Sequence, residues 1–133
     1  MFGFEKLDVW QKAIDYAGTI YQVTRGFPND ERFGLASQLR RSAVSVSSNI
    51  AEGSSRSSMT DFSRFLEIAY GSLLESVSEL MVARKQEFVD VRVYDKLYNE
   101  AEQVAKMLSG LRRNIQKNST VKPRTSKTPS PQS

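Results

Sequence analysis

Apolar residues recur along this chain in alternating steps of three and four. The longest series is Tyr94, Leu97, Ala101, Val104, Leu108, Leu111 and Ile115, which holds one stripe on one face of a helix for about six turns. Asp90 stands where an N-cap would accept a hydrogen bond from the first turn. Near the start, Leu7, Trp10, Ile14, Ala17, Tyr21 and Thr24 repeat the pattern until Gly26 and Pro28, which cannot continue a helix. From about Met59 to Lys85, Phe62, Leu66, Ala69, Leu73, Val77 and Leu80 share a face, and Ser58 with Asp61 forms a helix start signal. No segment alternates with period two, so no sheet is expected. With one further segment between the first and third, short connections predict an all-α, antiparallel up-down-up-down four-helix bundle.

That further segment, from about Glu31 or Phe33 to Glu52, has more than one face. Leu35, Leu39, Ala43, Val46 and Ile50 form its core stripe, and Asn49 and Glu52 close it before Gly53. Roughly opposite lie Ser37, Arg40, Val44, Ser47 and Ala51, mostly small residues beside which another backbone could pack closely. Arg41, Ser45, Ser48 and Glu52 make a polar face between them. On the third segment Ile68 and Gly71 also project away from the core, between Arg64 and Glu75, although Gly inside a helix costs about 1 kcal/mol relative to Ala. Arg40, Val44, Ser47 and Ala51, with Arg64, Ile68, Gly71 and Glu75, are therefore candidates for an interface between copies of the chain. The plainer reading is tolerated surface residues and a local kink at Gly71.

Composition narrows the chemistry. The 133 residues suit one domain, expected over 1–117, and contain neither Cys nor His. Thiolate nucleophiles, imidazole bases, disulfides and Cys/His metal clusters are thereby excluded, and no cofactor or metal is expected. Without a signal-like apolar region or a run approaching the roughly 18 apolar residues of a membrane span, a cytoplasmic protein is expected. A Ser-x-x-Lys pair, Ser119 and Lys122, falls in "NSTVKPRTSKTPSPQS", which is expected to be a flexible basic tail over 118–133. Glu67, Glu75 and Glu79 are read on outward faces rather than in a cleft, so no enzyme is expected.

The formal net charge of +4 is unevenly placed: Arg112, Arg113, Lys117, Lys122, Arg124 and Lys127 face no acid among them, while the preceding 111 residues hold 13 basic and 15 acidic side chains. These six, with Arg41 and Arg56 on the body, are the candidate contacts for nucleic-acid phosphate. Competing readings pair Arg40 with Glu67 or Glu75 across an interface, and Arg41 with Glu52 or with solvent. Most aromatics sit on or beside core stripes, leaving Phe2, Phe4 and Phe88 as candidates for exposure.

Trp10-Gln11-Lys12-Ala13, Phe27-Pro28, Glu31, Gly34-Leu35, Gln38-Leu39-Arg40-Arg41, Asn49-Ile50-Ala51-Glu52-Gly53, Phe62, Phe65-Leu66 and Gly71-Ser72 carry a resemblance over about residues 4–115. The chain resembles the small four-helix-bundle proteins encoded in intervening sequences of bacterial 23S ribosomal RNA genes. Ser47 departs from the Pro of many members, which predicts a straighter second helix, and Gln86-Glu87 departs from a turn in which Gly is common. The resemblance implies a bundle that assembles into a ring, a homopentamer. Distant relatives of that family are accessory proteins of diversity-generating retroelements that bind a reverse transcriptase and nucleic acid. Two functions are therefore expected as alternatives. One is a non-enzymatic homo-oligomeric scaffold associated with RNA or DNA. The other is a protein-interaction module or accessory subunit of a mobile-element enzyme such as a reverse transcriptase.

Overall fold

In the structure, a computed structural model, the backbone is described for residues 1–121 and side chains for residues 1–118. Four helices follow one another: α1 (Asp8–Thr24), α2 (Leu35–Ser54), α3 (Met59–Lys85) and α4 (Val91–Val121). Short 3-10 turns, Gly3–Lys6 and Asn29–Glu31, precede α1 and α2, and the described residues contain no strand. Each helix packs on two neighbours: α1 on α2 and α4, α3 on α2 and α4. The result is the expected antiparallel bundle, with α1 diagonal to α3 and α2 diagonal to α4.

The helix ends follow the local chemistry. Ser58 Oγ accepts the Asp61 N–H at 3.0 Å and Asp90 Oδ1 accepts the Val93 N–H at 3.0 Å, so both caps read from the sequence are made. At the start of α2, Glu31 Oε1 accepts the Leu35 N–H at 3.1 Å, so the acidic turn caps a helix that begins later than Phe33. α3 closes through paired bonds, Phe88 N–H to Ala83 C=O and Glu87 N–H to Arg84 C=O, both 2.9 Å. This ending places Glu87 at φ 64°, in the left-handed region that Gly enters freely, at the turn where the resemblance leads one to expect Gly.

The core agrees with the stripes of α2, α3 and α4 and departs from that of α1. Tyr94, Leu97, Ala101, Val104, Leu108 and Ile115 are buried from α4, and Leu39, Ala43, Val46 and Ile50 from α2. From α1 the buried set is Val9, Ala13, Tyr16, Ala17, Ile20 and Thr24, whereas Ile14 and Tyr21 are exposed and Trp10 is half-buried. At 100° per residue the observed stripe is rotated by about 80° from the expected one. The reason is Tyr16, whose ring enters the core and whose hydroxyl reaches diagonally across it to Ser76 Oγ of α3 at 2.8 Å. Ser76 gives its single proton to Leu73 C=O at 2.7 Å, so Tyr16 is the donor of the diagonal bond.

Three boundaries also differ. α4 continues through Val121, so residues 118–121, expected in the tail, are helical; the rest of the expected tail lies outside the described residues. Gly53 lies inside α2 rather than beyond its end, because it is a contact residue: a Cβ there would stand 2.6 Å from Phe65 Cβ and 3.1 Å from the Phe62 ring. α2 also runs through Ser47 without a break, in keeping with the absence of Pro there.

Candidate functional site

Two surfaces were expected, a small-residue interface and a basic contact face. The interface candidates separate. Arg64, Ile68, Gly71 and Glu75 are all exposed on the side of α3 opposite its core stripe; Ile68 is 48% exposed, and no atom stands within 4 Å of a Cβ built on Gly71. Val82 continues this outward face toward the C-terminal end of α3, and Leu74 and Met81 are exposed beside it toward α4. Between them and α4 lies a mostly apolar groove of about 260 Å³, lined by Tyr70, Val77, Tyr98 and Lys106 among others.

The α2 candidates have neighbours inside the chain. Arg40 Nε donates to Thr24 Oγ1 at 2.8 Å, its Nη2 donates to Tyr21 C=O at 3.4 Å, and its guanidinium lies 4.7 Å from the Tyr21 ring centre. The expected pairing of Arg40 with Glu67 or Glu75 concerns a second copy; within its own chain Arg40 makes contacts to the C-terminal turn of α1. A helix C-terminus offers unsatisfied carbonyls and a partial negative charge, which a guanidinium answers. Arg40 marks the side of α2 that faces α1. Ser47, buried on that side, lets α1 approach, so the expected small-residue contact is partly met within the chain; Ala51 is half-buried and Val44 exposed.

Among the expected phosphate contacts, Arg56 forms an ion pair with Glu52 at 2.7 Å and lies 4.6 Å from the Phe65 ring centre. Arg56, rather than Arg41, takes Glu52. Arg112 is half-buried, 3.9 Å from Glu67, and its Nε is buried with no hydrogen-bond partner among the described residues. Arg113 and Lys117 are exposed on α4, while Lys122, Arg124 and Lys127 lie outside the described residues, as does the expected Ser119 and Lys122 dyad in part. Arg41 is exposed and in no ion pair among the described residues. Phe2 is exposed as expected, but Phe4 and Phe88 are half-buried, Phe4 against Trp10 and Phe88 against Phe27. The most exposed aromatic, Phe33 at 88%, was not anticipated.

A polar cluster between α2 and α3 was also missed. Gln38, Arg41, Ser42, Ser45, Ser72 and Glu75 line a pocket of about 150 Å³. Ser45 and Ser72 hydroxyls meet at 2.8 Å, and Asn49 Nδ2 donates back to Ser45 C=O at 2.8 Å, a bond within α2. Ser42 Oγ donates to Glu79 Oε1 at 2.8 Å. Burial pushes the Glu79 carboxyl above its ordinary value and neighbouring Glu75 adds to this, while the Ser42 bond and the Arg41 guanidinium oppose it. Glu79 is thus half-buried and turned toward α2, where an outward face was expected. Glu75 and Glu79 come together there without Glu67, which faces Arg112 instead. No group of three His, Cys, Asp or Glu among the described residues could hold a metal ion, and no described helix is long and apolar enough to cross a membrane.

The family model described as 23S rRNA-intervening sequence protein matches residues 5–110, nearly all of the bundle. The chain belongs to that family. A crystal structure from the S23 ribosomal protein family, that of a Bacteroides thetaiotaomicron protein with unknown function, has the same fold: TM-score 0.74 at 24% identity, covering 79% of this chain and 95% of that one. Comparison with curated proteins returns no match. The range matched by the 23S rRNA-intervening sequence protein family takes in α1, α2, α3 and the first two thirds of α4, and with them the positions of Gly53, Gly71, Arg40 and Arg41.

Proposed function

We propose that this chain is a non-enzymatic, homo-oligomeric helical scaffold associated with RNA or DNA, with the pentameric ring that the resemblance implies as its assembled form. The observation that carries the reading is the outward face of α3. Ile68, Gly71 and Val82 lie on it unburied and Gly71 faces open space, a helix-interior Gly with no contact inside its own chain to explain it. Around a ring, each exposed basic residue becomes a repeated set, so weak single contacts by Arg41, Arg113 and Lys117 add up. Wild-type chain and Arg41→Ala, titrated with mixed-sequence RNA and duplex DNA over a range of salt, test the nucleic-acid half. Arg41→Ala is expected to weaken binding and to make the slope of log affinity against log salt shallower by about one phosphate contact per engaged subunit. No binding near physiological salt would refute it.

A second reading, a protein-interaction module such as an accessory subunit of a reverse transcriptase, is favoured by a different observation. Arg56 and Arg112 are already paired with acids of their own chain, and the apolar groove between α3 and α4 opens beside Leu74. It takes over if assembly persists and nucleic-acid binding is absent.

A further inference from the structure

The connection from α1 to α2 encloses a pocket of about 250 Å³, lined by Thr24, Arg25, Phe27, Asn29, Arg32 and Arg40 among others. Three arginines thus line one small volume and no acidic residue does. The neighbouring acids do not answer them: Glu31 is turned to the Leu35 N–H at the start of α2, and Asp30 is in no ion pair among the described residues. None of Arg25, Arg32 and Arg40 forms an ion pair among the described residues either. Positive side chains gathered at one concave volume attract an anion, and Arg40 among them is half-buried.

The C-terminal carbonyls of α1 account for only part of this arrangement. Arg40 meets them through Tyr21 C=O and fixes its Nε on Thr24 Oγ1, which uses two of five N–H donors and holds the guanidinium plane in place. Arg25 contributes its backbone N–H to the same turn, so its side chain is not what satisfies the carbonyl. Arg32 lies over the exposed Phe33 ring, 5.3 Å from its centre, and makes no hydrogen bond to α1. One arginine is therefore positioned, and Arg25, Arg32 and Asn29 line the same pocket.

We propose that this pocket binds a phosphate group. Planar guanidinium forks match the tetrahedral oxygens of phosphate in paired hydrogen bonds, and three of them around one volume match its charge. The site uses neither Arg41 nor the basic end of α4, so it stands or falls separately from the scaffold reading.

The test is a titration of the full chain, labelled with 15N, by sodium pyrophosphate at constant ionic strength, followed by backbone amide and arginine Nε shifts. Saturating shifts are expected at Gly26, Asn29 and the Arg40 Nε. Arg25→Ala and Arg32→Ala, both exposed and therefore compatible with folding, should each raise Kd by about tenfold, as loss of a charged hydrogen-bond donor does. Lys12→Ala, exposed near the opposite end of α1, should leave Kd unchanged. Shifts that never saturate, or an unchanged Kd in Arg32→Ala, overturn the proposal. A short single-stranded RNA tells the source of the phosphate: competition for the same shifts assigns it to a nucleic-acid backbone, and pyrophosphate binding alone assigns it to a free phosphoanion. Both outcomes uphold the site.

Discussion

Two backbone positions show how much a single residue decides here. At Gly53 the neighbour of any added Cβ is Phe65 Cβ, the root of a side chain that cannot swing aside. Gly53→Ala therefore separates the end of α2 from α3 and should cost about 1–3 kcal/mol, the usual range for overpacking, read as a lower midpoint in urea denaturation. At Glu87 the sign reverses. A residue with a Cβ pays about 1 kcal/mol or more for the left-handed conformation, so Glu87→Gly should gain roughly that amount and raise Tm by several degrees. The Glu87 position was legible, because a resemblance with Gly at that turn marks where the backbone needs it. Gly53 was visible but misread: a Gly near a helix end reads as a stop signal, whereas its use depends on a ring from another helix that no local pattern contains.

At the scale of elements, periodicity placed three stripes and misplaced one. α4 has a single apolar face and offered no choice. α1 has a wider arc, since Trp10, Ile14 and Tyr21 compete with Val9, Tyr16 and Ile20. What decides between them is the diagonal partner for the Tyr16 hydroxyl, a long-range contact. Burial of that phenol raises its pKa to about 12, as expected for a group held neutral inside the bundle. The α2 and α3 pair carries a titration of its own. Folding raises the Glu79 carboxyl, so the stability it contributes is complete below the ordinary carboxylate range and is lost as pH rises through the raised folded value. Replacing it with Gln removes that loss. Denaturation midpoints at about pH 4 and pH 7 should therefore differ less in the wild type's favour at low pH once Glu79→Gln is introduced; superimposable pH profiles for the two proteins would show that Glu79 carries no such linkage.

At the scale of the molecule, the proposed assembly depends on α3. In a lone chain, replacing Gly71 by a larger residue meets open space and improves helix propensity by up to about 1 kcal/mol. In an assembly that covers this face, the same side chain obstructs the neighbour. Gly71→Leu is therefore expected to keep its helical circular dichroism while its mass by light scattering falls to that of one chain. An unchanged oligomer would move the interface elsewhere. The sequence could point to this face because Gly71 breaks a helical rule in plain view. The pocket between α1 and α2 stayed hidden because Arg25, Arg32 and Arg40 belong to three different local contexts and meet only when the connection folds back.

The closed square of helices has one more consequence. Because α4 runs antiparallel to α1 and packs directly on it, the start of the first helix and the end of the last lie at the same end of the bundle. No packing face depends on which connection is covalent. A circularly permuted chain, opened at the exposed Ser55 to Ser58 turn and closed from α4 to α1, would keep all four contacts and present α2 and α3 as its terminal helices. Connection order is thus a historical feature of this bundle, and the pattern of faces is its specification.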